Sequence, residues 1–343
     1  MKRSLRTTAV LTLALNGCVE AQEHSVIALS HSDFTAYELD PATGDILNSF
    51  VAKDQPHEGV VSRDGRTLYA AVPQAAHVVI IDLETWRETG RIESEYFQRA
   101  PEERSGPDGS VTINTSASPH GIALNSAGTR LYIGTERSEV PGIIVYDIEA
   151  GRVTKKIDLL LEGGHFLAID EQTDKLYYPH RADNRVVVID TKTDEIIKII
   201  PVEGGPVGVG FTPDGEAWIH SDYDGLVTVI DIETDEIVSV IQTEGSGAGR
   251  MAVSPDGRYA ASTHGDTEDV AIINTRTREV AATVHLGPGP GFPVFSPGSD
   301  KLYVMNSRGG DVVVVDMATM SEVGRHEVGV NPFGGTLRPL GRR

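Results

Sequence analysis

The chain has 343 residues, 39% apolar and 6% aromatic, with 36 Gly, 18 Pro, a single Cys and a formal net charge of −20. That acidity works against nucleic acid, whose phosphates call for a clustered basic face. One cysteine excludes an intramolecular disulfide, and no internal run approaches the ~18 apolar residues of a membrane helix.

The N-terminus has its own character. Lys2, Arg3 and Arg6 precede the apolar stretch Thr7–Leu15, the layout of an export signal over residues 1–18. Leu15-Asn16-Gly17-Cys18 resembles the bacterial lipobox, in which a lipid-bearing Cys follows the cleavage point; Asn16 departs from the small apolar residue usual there. The expectation is an exported, monomeric bacterial protein, periplasmic or held at the outer membrane through Cys18. No other membrane contact is expected.

From residue 24 onward the pattern is short apolar runs rich in Val and Ile, bounded by Gly, Pro and Asp. Such runs read as antiparallel strands. Residues 203–244 show the unit plainly, with GVGF, AWIH, LVTVID and IVSVI separated by turn sequences. One such four-stranded sheet leaves two edges open and cannot bury its faces alone. Repetition supplies its neighbours: His57, His120, His165, Val207, Gly249, Gly291 and Phe333 occupy one slot, and from His165 onward the slots lie 42 residues apart. An Asp or Asn closes each third strand, at Asp40, Asp82, Asp147, Asp190, Asp231, Asn274 and Asp316. Side chains of this type bond backbone N–H groups ahead of them, so much of the acidity belongs to turns.

The regular spacing breaks once. Glu93–Ala117 inserts extra residues between the first two repeats, and a loop over 94–117 is expected on the connection-rich face, where it could act as a lid. At the ends, residues 25–51 read as strands two to four of a unit and 332–339 as its missing first strand. The fold expected is all-β: a seven-bladed β-propeller of four-stranded antiparallel blades over 24–343, its ring closed by the N-terminal strands pairing with the C-terminal strand.

Leu302-Tyr303-Val304-Met305-Asn306, with Ser296-Pro297 before it and Val312–Asp316 after it, resembles the YVTN repeat. Leu68-Tyr69, Leu131-Tyr132 and Leu176-Tyr177 match the same position. The resemblance, to YncE-like exported propellers, covers nearly all of residues 25–343. It implies the fold more specifically than the activity, since that group includes binding proteins, lactonase-like enzymes and relatives of metal and haem-d1 propellers.

In a propeller the first strand of each blade lines the axial channel. His57, His120 and His165 open three consecutive blades in one register and should share one height at the channel mouth. His31, His180, His220 and His264 end second strands, which return to the same face, although His180 has the opposite strand parity. His24, His77, His285 and His326 fall elsewhere. Imidazole suits a transition metal, here copper, zinc or iron, and several neutral His with an open position make a catalytic metal site. Glu136, Arg181 and Arg250 share this face as candidate catalytic groups, an arginine being able to hold a carboxylate; Asp222 lies there as well. Lactonase-like propellers work with His, Glu and Arg on this face. No GxGxxG or Walker pattern precedes a helix, and no CxxCH haem attachment exists. The expected function is a metal-dependent hydrolytic or oxidative enzyme acting on a small organic molecule. The alternatives are a non-catalytic envelope binding protein and a handler of haem or other tetrapyrrole.

Overall fold

The computed structural model describes residues 24–105, 111–116, 119–135, 141–159 and 164–340. The expected export signal over residues 1–18, and Cys18 with it, lie outside the described residues. No helix among those described is long and apolar enough to cross a membrane.

Seven four-stranded antiparallel sheets stand in a ring, numbered here in chain order from the one that begins at Gly59. Blade four has the most regular form: Pro206–Phe211, Glu216–Ser221, Leu226–Asp231 and Glu236–Gln242, from the axis outward. Its second and third strands are buried at five and four of six positions, whereas its fourth strand is largely exposed. Strands covered on both faces read as continuous apolar runs rather than alternations, which is why VTVI and AWI carry no period of two. Blade seven joins the chain ends. Pro332–Pro339 pairs with His24–Ser30 in the register His24↔Pro339 to Leu29↔Gly334, with Thr35–Leu39 and Ile46–Val51 outside it. The ring thereby loses its open edge.

The core is distributed among the seams. Seven apolar clusters each draw on two neighbouring blades; Trp218, Val227 and Val229 of blade four meet Met251, Ala260, Ala271 and Ile273 of blade five, for example. In every blade the pairing of third with fourth strand slips near the end of the third strand, as between Val229 and Ile230. An extra residue at that point sharpens the twist that lets flat sheets fan around an axis.

The turn aspartates do what their chemistry suggests. Asp231 Oδ1 accepts from the backbone N–H and the hydroxyl of Thr234, and Asp82 and Asp316 repeat the arrangement with Thr85 and Thr319. Four residues on, the chain turns through positive φ, at 56° for Asp194 and 54° for Asp235. These two aspartates serve a second purpose. The Tyr132 hydroxyl donates to Asp194 at 2.6 Å and the Tyr177 hydroxyl to Asp235 at 2.6 Å, each from the preceding blade. Arg130 and Lys175 pair with the same carboxylates. The tyrosine of the Leu-Tyr repeat is therefore a latch between blades at two seams. Tyr177→Phe should cost about 1.5–3 kcal/mol in denaturant unfolding, the worth of a hydrogen bond to a charged acceptor; a change below ~0.3 kcal/mol would remove the latch from the stability argument.

The insertion between blades one and two differs from the loop expected over 94–117. A short 3-10 turn, Glu95–Phe97, leads into a two-stranded hairpin, Gln98–Ser105 with Val111–Ser116. Phe97 is fully buried in the seam of blades one and two, which anchors the root of the hairpin. The alternation of Val111 and Ile113 with polar residues was the available strand signal.

Candidate functional site

The slot predicted from the repeat is a physical position. Backbone N–H groups of His57, His120 and His165 each donate to the matching carbonyl of the second strand, Ala71, Gly134 and Pro179, at 2.9, 3.0 and 3.1 Å. Held at one height, the rings converge: His57 and His120 have centroids 4.2 Å apart, His120 and His165 4.0 Å, and His57 and His165 6.4 Å. His31 joins them from blade seven, 4.6 Å from His57, and stacks on Phe333 at 5.0 Å.

The carboxylate of this cluster is Glu58, which the sequence reading passed over. It is 1% exposed, with Oε1 3.4 Å from His120 Nδ1, 3.8 Å from His57 Nδ1 and 3.3 Å from a guanidinium nitrogen of Arg250. Glu58 and Arg250 hold the same position in blades one and five: the carbonyl of each accepts from a second-strand N–H, Ala71 and Thr263 respectively. In that position Gly121 and Gly334 leave room for the neighbouring backbone, which a Cβ would strike at His165 O and His57 O. Phe166 and Phe292 fill it in blades three and six. Arg250 is 2% exposed and tightly held: Nη1 donates to Gly249 O at 2.9 Å, and Nη2 lies 3.1 Å from His165 Nδ1 as well as near Glu58. Its guanidinium lies 5.2 Å from both the Phe292 and Phe333 ring centroids. The axis is thus plugged by an ion pair spanning blades one and five, walled by aromatic rings and topped by four histidines.

Electrostatics follow from that burial. His31 is depressed to about 4, first by burial and then by the neighbouring His120 and Arg250, with Glu58 pulling the other way. His165 falls well below the ordinary imidazole value, again chiefly through burial, reinforced by His120 and Arg250. Both are neutral bases at neutral pH. The ligand atoms of His57, Glu58 and His120 lie within 4.8 Å of one another, close enough to share one ion. Among the described residues, buried Glu58 Oε2 has no hydrogen-bond partner, which leaves a spare acceptor.

Other expected site residues are placed elsewhere. His220 and His264 pair with each other, centroids 5.6 Å apart, in the wall between blades four and five. His220 Nε2 lies 3.3 Å from Asp222 and His264 Nδ1 2.8 Å from Asp269. His180 is buried beside Tyr178, centroids 4.8 Å apart. Arg181 is 41% exposed, pairs with Asp222 at 3.2 Å and lies over the Tyr223 ring. Burial pushes Asp222 up, but the His220 hydrogen bond and the positive charges of Arg250 and Arg181 outweigh it and hold the carboxyl low. Glu136 lies outside the described residues.

No family model matches the chain, and no curated protein matches it. Solved structures with the same fold do. Hydrazine synthase of Kuenenia stuttgartiensis aligns over 81% of this chain and 88% of its own, with TM-score 0.68 and 22% identity. A functionally unknown protein of Desulfotomaculum acetoxidans aligns over 92% and 99%, with TM-score 0.75 and 13% identity. The dihydro-haem d1 dehydrogenase NirN, in complex with DHE, aligns over 91% and 74%, with TM-score 0.64 and 16% identity. At these identities the likeness is one of fold.

Proposed function

We propose that the chain is an exported YVTN-like propeller enzyme that binds one divalent transition ion at the channel mouth through His57, Glu58 and His120, and acts there on a small organic molecule. The observation carrying this reading is the convergence of two imidazoles on a buried carboxylate whose second oxygen has no hydrogen-bond partner among the described residues. Two His and one carboxylate would make a donor set suited to iron, copper or zinc. When bound, such an ion would supply Lewis acidity or activate water. The protein's own groups do the rest. His165 and His31, kept neutral by burial, can accept hydrogen bonds from a substrate at the mouth. Phe333 and Phe292 exclude water beside them, and Arg181, partly exposed at the rim, can hold an anionic group of the substrate. The hairpin after Phe97 serves as the lid. Two of the fold's neighbours carry enzyme names, one of them in complex with a haem derivative, so the scaffold accommodates such chemistry.

Chelator-stripped protein titrated separately with Zn²⁺, Cu²⁺ and Fe²⁺ should take up one ion, and His120→Ala should weaken that binding roughly 100-fold or more. Sub-stoichiometric metal, unchanged in His120→Ala, would sink the reading. One observation favours a second reading: the Arg250 guanidinium already neutralises Glu58, 3.3 Å away. On that reading the axial cluster is a metal-free binding pocket without turnover, and that same outcome of the titration supports it.

A further inference from the structure

The rim of the ring is built from fourth strands, and equivalent positions on them can be compared blade by blade. In blade one Glu88 lies opposite Ile81 of the third strand and Arg91 opposite Val79; in blade six Glu322 lies opposite Val315 and Arg325 opposite Val313. Each Glu pairs with the Arg three residues on, at 2.5 and 2.8 Å. Charged side chains of this kind suit an outer strand that faces water.

Blades three and four depart from that pattern. The same two positions hold Ile196 and Ile199 in Glu195–Pro201, and Ile237 and Val240 in Glu236–Gln242. Ile197 and Val238, at the point where the pairing slips, are apolar as well. All six side chains are 41–56% exposed. The two strands are neighbours, since Lys198 Nζ reaches Glu236 Oε1 at 2.8 Å. An isolated exposed Ile needs no explanation, but six on adjoining strands do. Together they open on the order of 500 Å² of apolar surface, as much as a lone soluble chain usually leaves to water. With the polar residues around it, the patch approaches the ~800 Å² that one partner gives to a stable complex. We propose that this patch is where two copies of the chain associate side by side about a two-fold axis, in place of the monomer expected from the sequence.

Charge selects a second copy. With a net charge of −20, two chains repel over most of their surface. Here, however, one cation is set against one anion: Lys198 and Glu236, 40% and 68% exposed, one on each strand. A two-fold axis running along and between the two strands lays Glu195–Pro201 of one copy on Glu236–Gln242 of the other. Lys198 of each copy then lies across from Glu236 of the partner subunit, so the patch complements itself in charge as well as in apolar character. Backbone pairing at the strand edges is hindered. Arg278 Nη1 donates to Val238 O at 3.2 Å, and Pro201, with no N–H to give, ends the strand of blade three. Both features work against edge-to-edge growth into fibres and leave a closed contact between faces. The fourth strands are the outermost of their sheets, so the association neither covers nor requires the axial site.

Sedimentation equilibrium of the purified chain over a wide concentration range tests this. A reversible shift from one chain mass to two is the expected result, and it should strengthen as salt screens the repulsion between two acidic chains. Ile197→Glu/Val238→Glu puts charge into the patch without touching a buried residue. It should weaken association roughly 100-fold or more while the circular dichroism spectrum stays unchanged. Lys198→Glu should weaken association too, and adding Glu236→Lys to it should restore the dimer. A wild-type chain that stays at one chain mass at every concentration would overturn the proposal, whether or not the patch then binds another protein or a lipid vesicle. Growth past two chains without limit, or a dimer that Ile197→Glu/Val238→Glu leaves intact, would overturn it as well.

Discussion

Glu58→Ala should destabilise the propeller by about 3–5 kcal/mol, because it strands the buried Arg250 guanidinium without its carboxylate. Asp222 feels that charge as well, but among the described residues no carboxylate besides Glu58 pairs directly with it: Arg250 is 2% exposed, its remaining contacts are Gly249 O, His165 Nδ1 and two phenylalanine faces, and its Nε has no hydrogen-bond partner there. The ion pair itself is worth much less than that figure. Coulombic attraction inside a protein roughly offsets the cost of drying two ions, so removing both charges together costs far less than removing one. Glu58→Met/Arg250→Met should therefore recover most of the stability lost by Glu58→Ala, read as denaturant midpoints on the same day and buffer. A loss below ~1 kcal/mol for the single variant, or a double variant no better than the single, would refute the axial clamp. The metal titration separates the roles of Glu58: the double variant should be stable yet bind no ion.

Chelator-stripped protein should lose stability steeply as pH falls from about 6.5 towards 4. His31 and His165 are imidazoles whose folded values are depressed, His31 to about 4. Above the unfolded value near 6.5 they are neutral in both states, and their contribution is fully present. Below it the unfolded chain takes up protons that the fold refuses, so the folded population falls by up to about tenfold per pH unit for each ring. His31→Phe, which keeps an aromatic ring against Phe333 and His57, should flatten that slope by about one proton in chemical unfolding between pH 7 and 4.5. An unchanged slope would mean that the ring titrates as it does in solution. Metal uptake should weaken as pH falls, because an ion competes with protons for imidazole lone pairs.

The fold was legible because propeller repetition is a one-dimensional signal. Asp190 and Asp231 close equivalent strands, and the 42-residue step from His165 to Val207 repeats to Phe333. The converging histidines were legible for the same reason, since equal register means equal height on the axis. Glu58 was not. Strand alternation sends neighbouring residues to opposite faces, so a site residue at 57 does not point to 58 as its companion; the regular strand begins only at Gly59, and the backbone before it lets both reach the centre. Its partner Arg250 is 192 residues away. The available clue was relational: opposite charges occupy one repeat position that elsewhere holds Gly or Phe. His220 and His264 were grouped with the axial ring because they end second strands on its face. The structure sets them instead in the wall between blades four and five, hydrogen-bonded to Ser262 and Asp269, and sequence does not display such side-chain contacts.

Blade seven has a consequence for the order in which the molecule can assemble. Its innermost strand, Pro332–Pro339, is the last of the described strands in the chain, yet it pairs with the first, His24–Ser30. The seam between blades six and seven, and the one between seven and one, both depend on that blade. During synthesis blades one to six can stack as each is completed, since every seam joins neighbours in sequence. The three strands from His24 to Val51 must wait with an unpaired edge until Pro332–Pro339 has been made. His31, carried directly after the first of those strands, takes its place beside His57 and Phe333 only when the ring shuts. The complete axial cluster is therefore a property of the closed circle, acquired in the final step of folding.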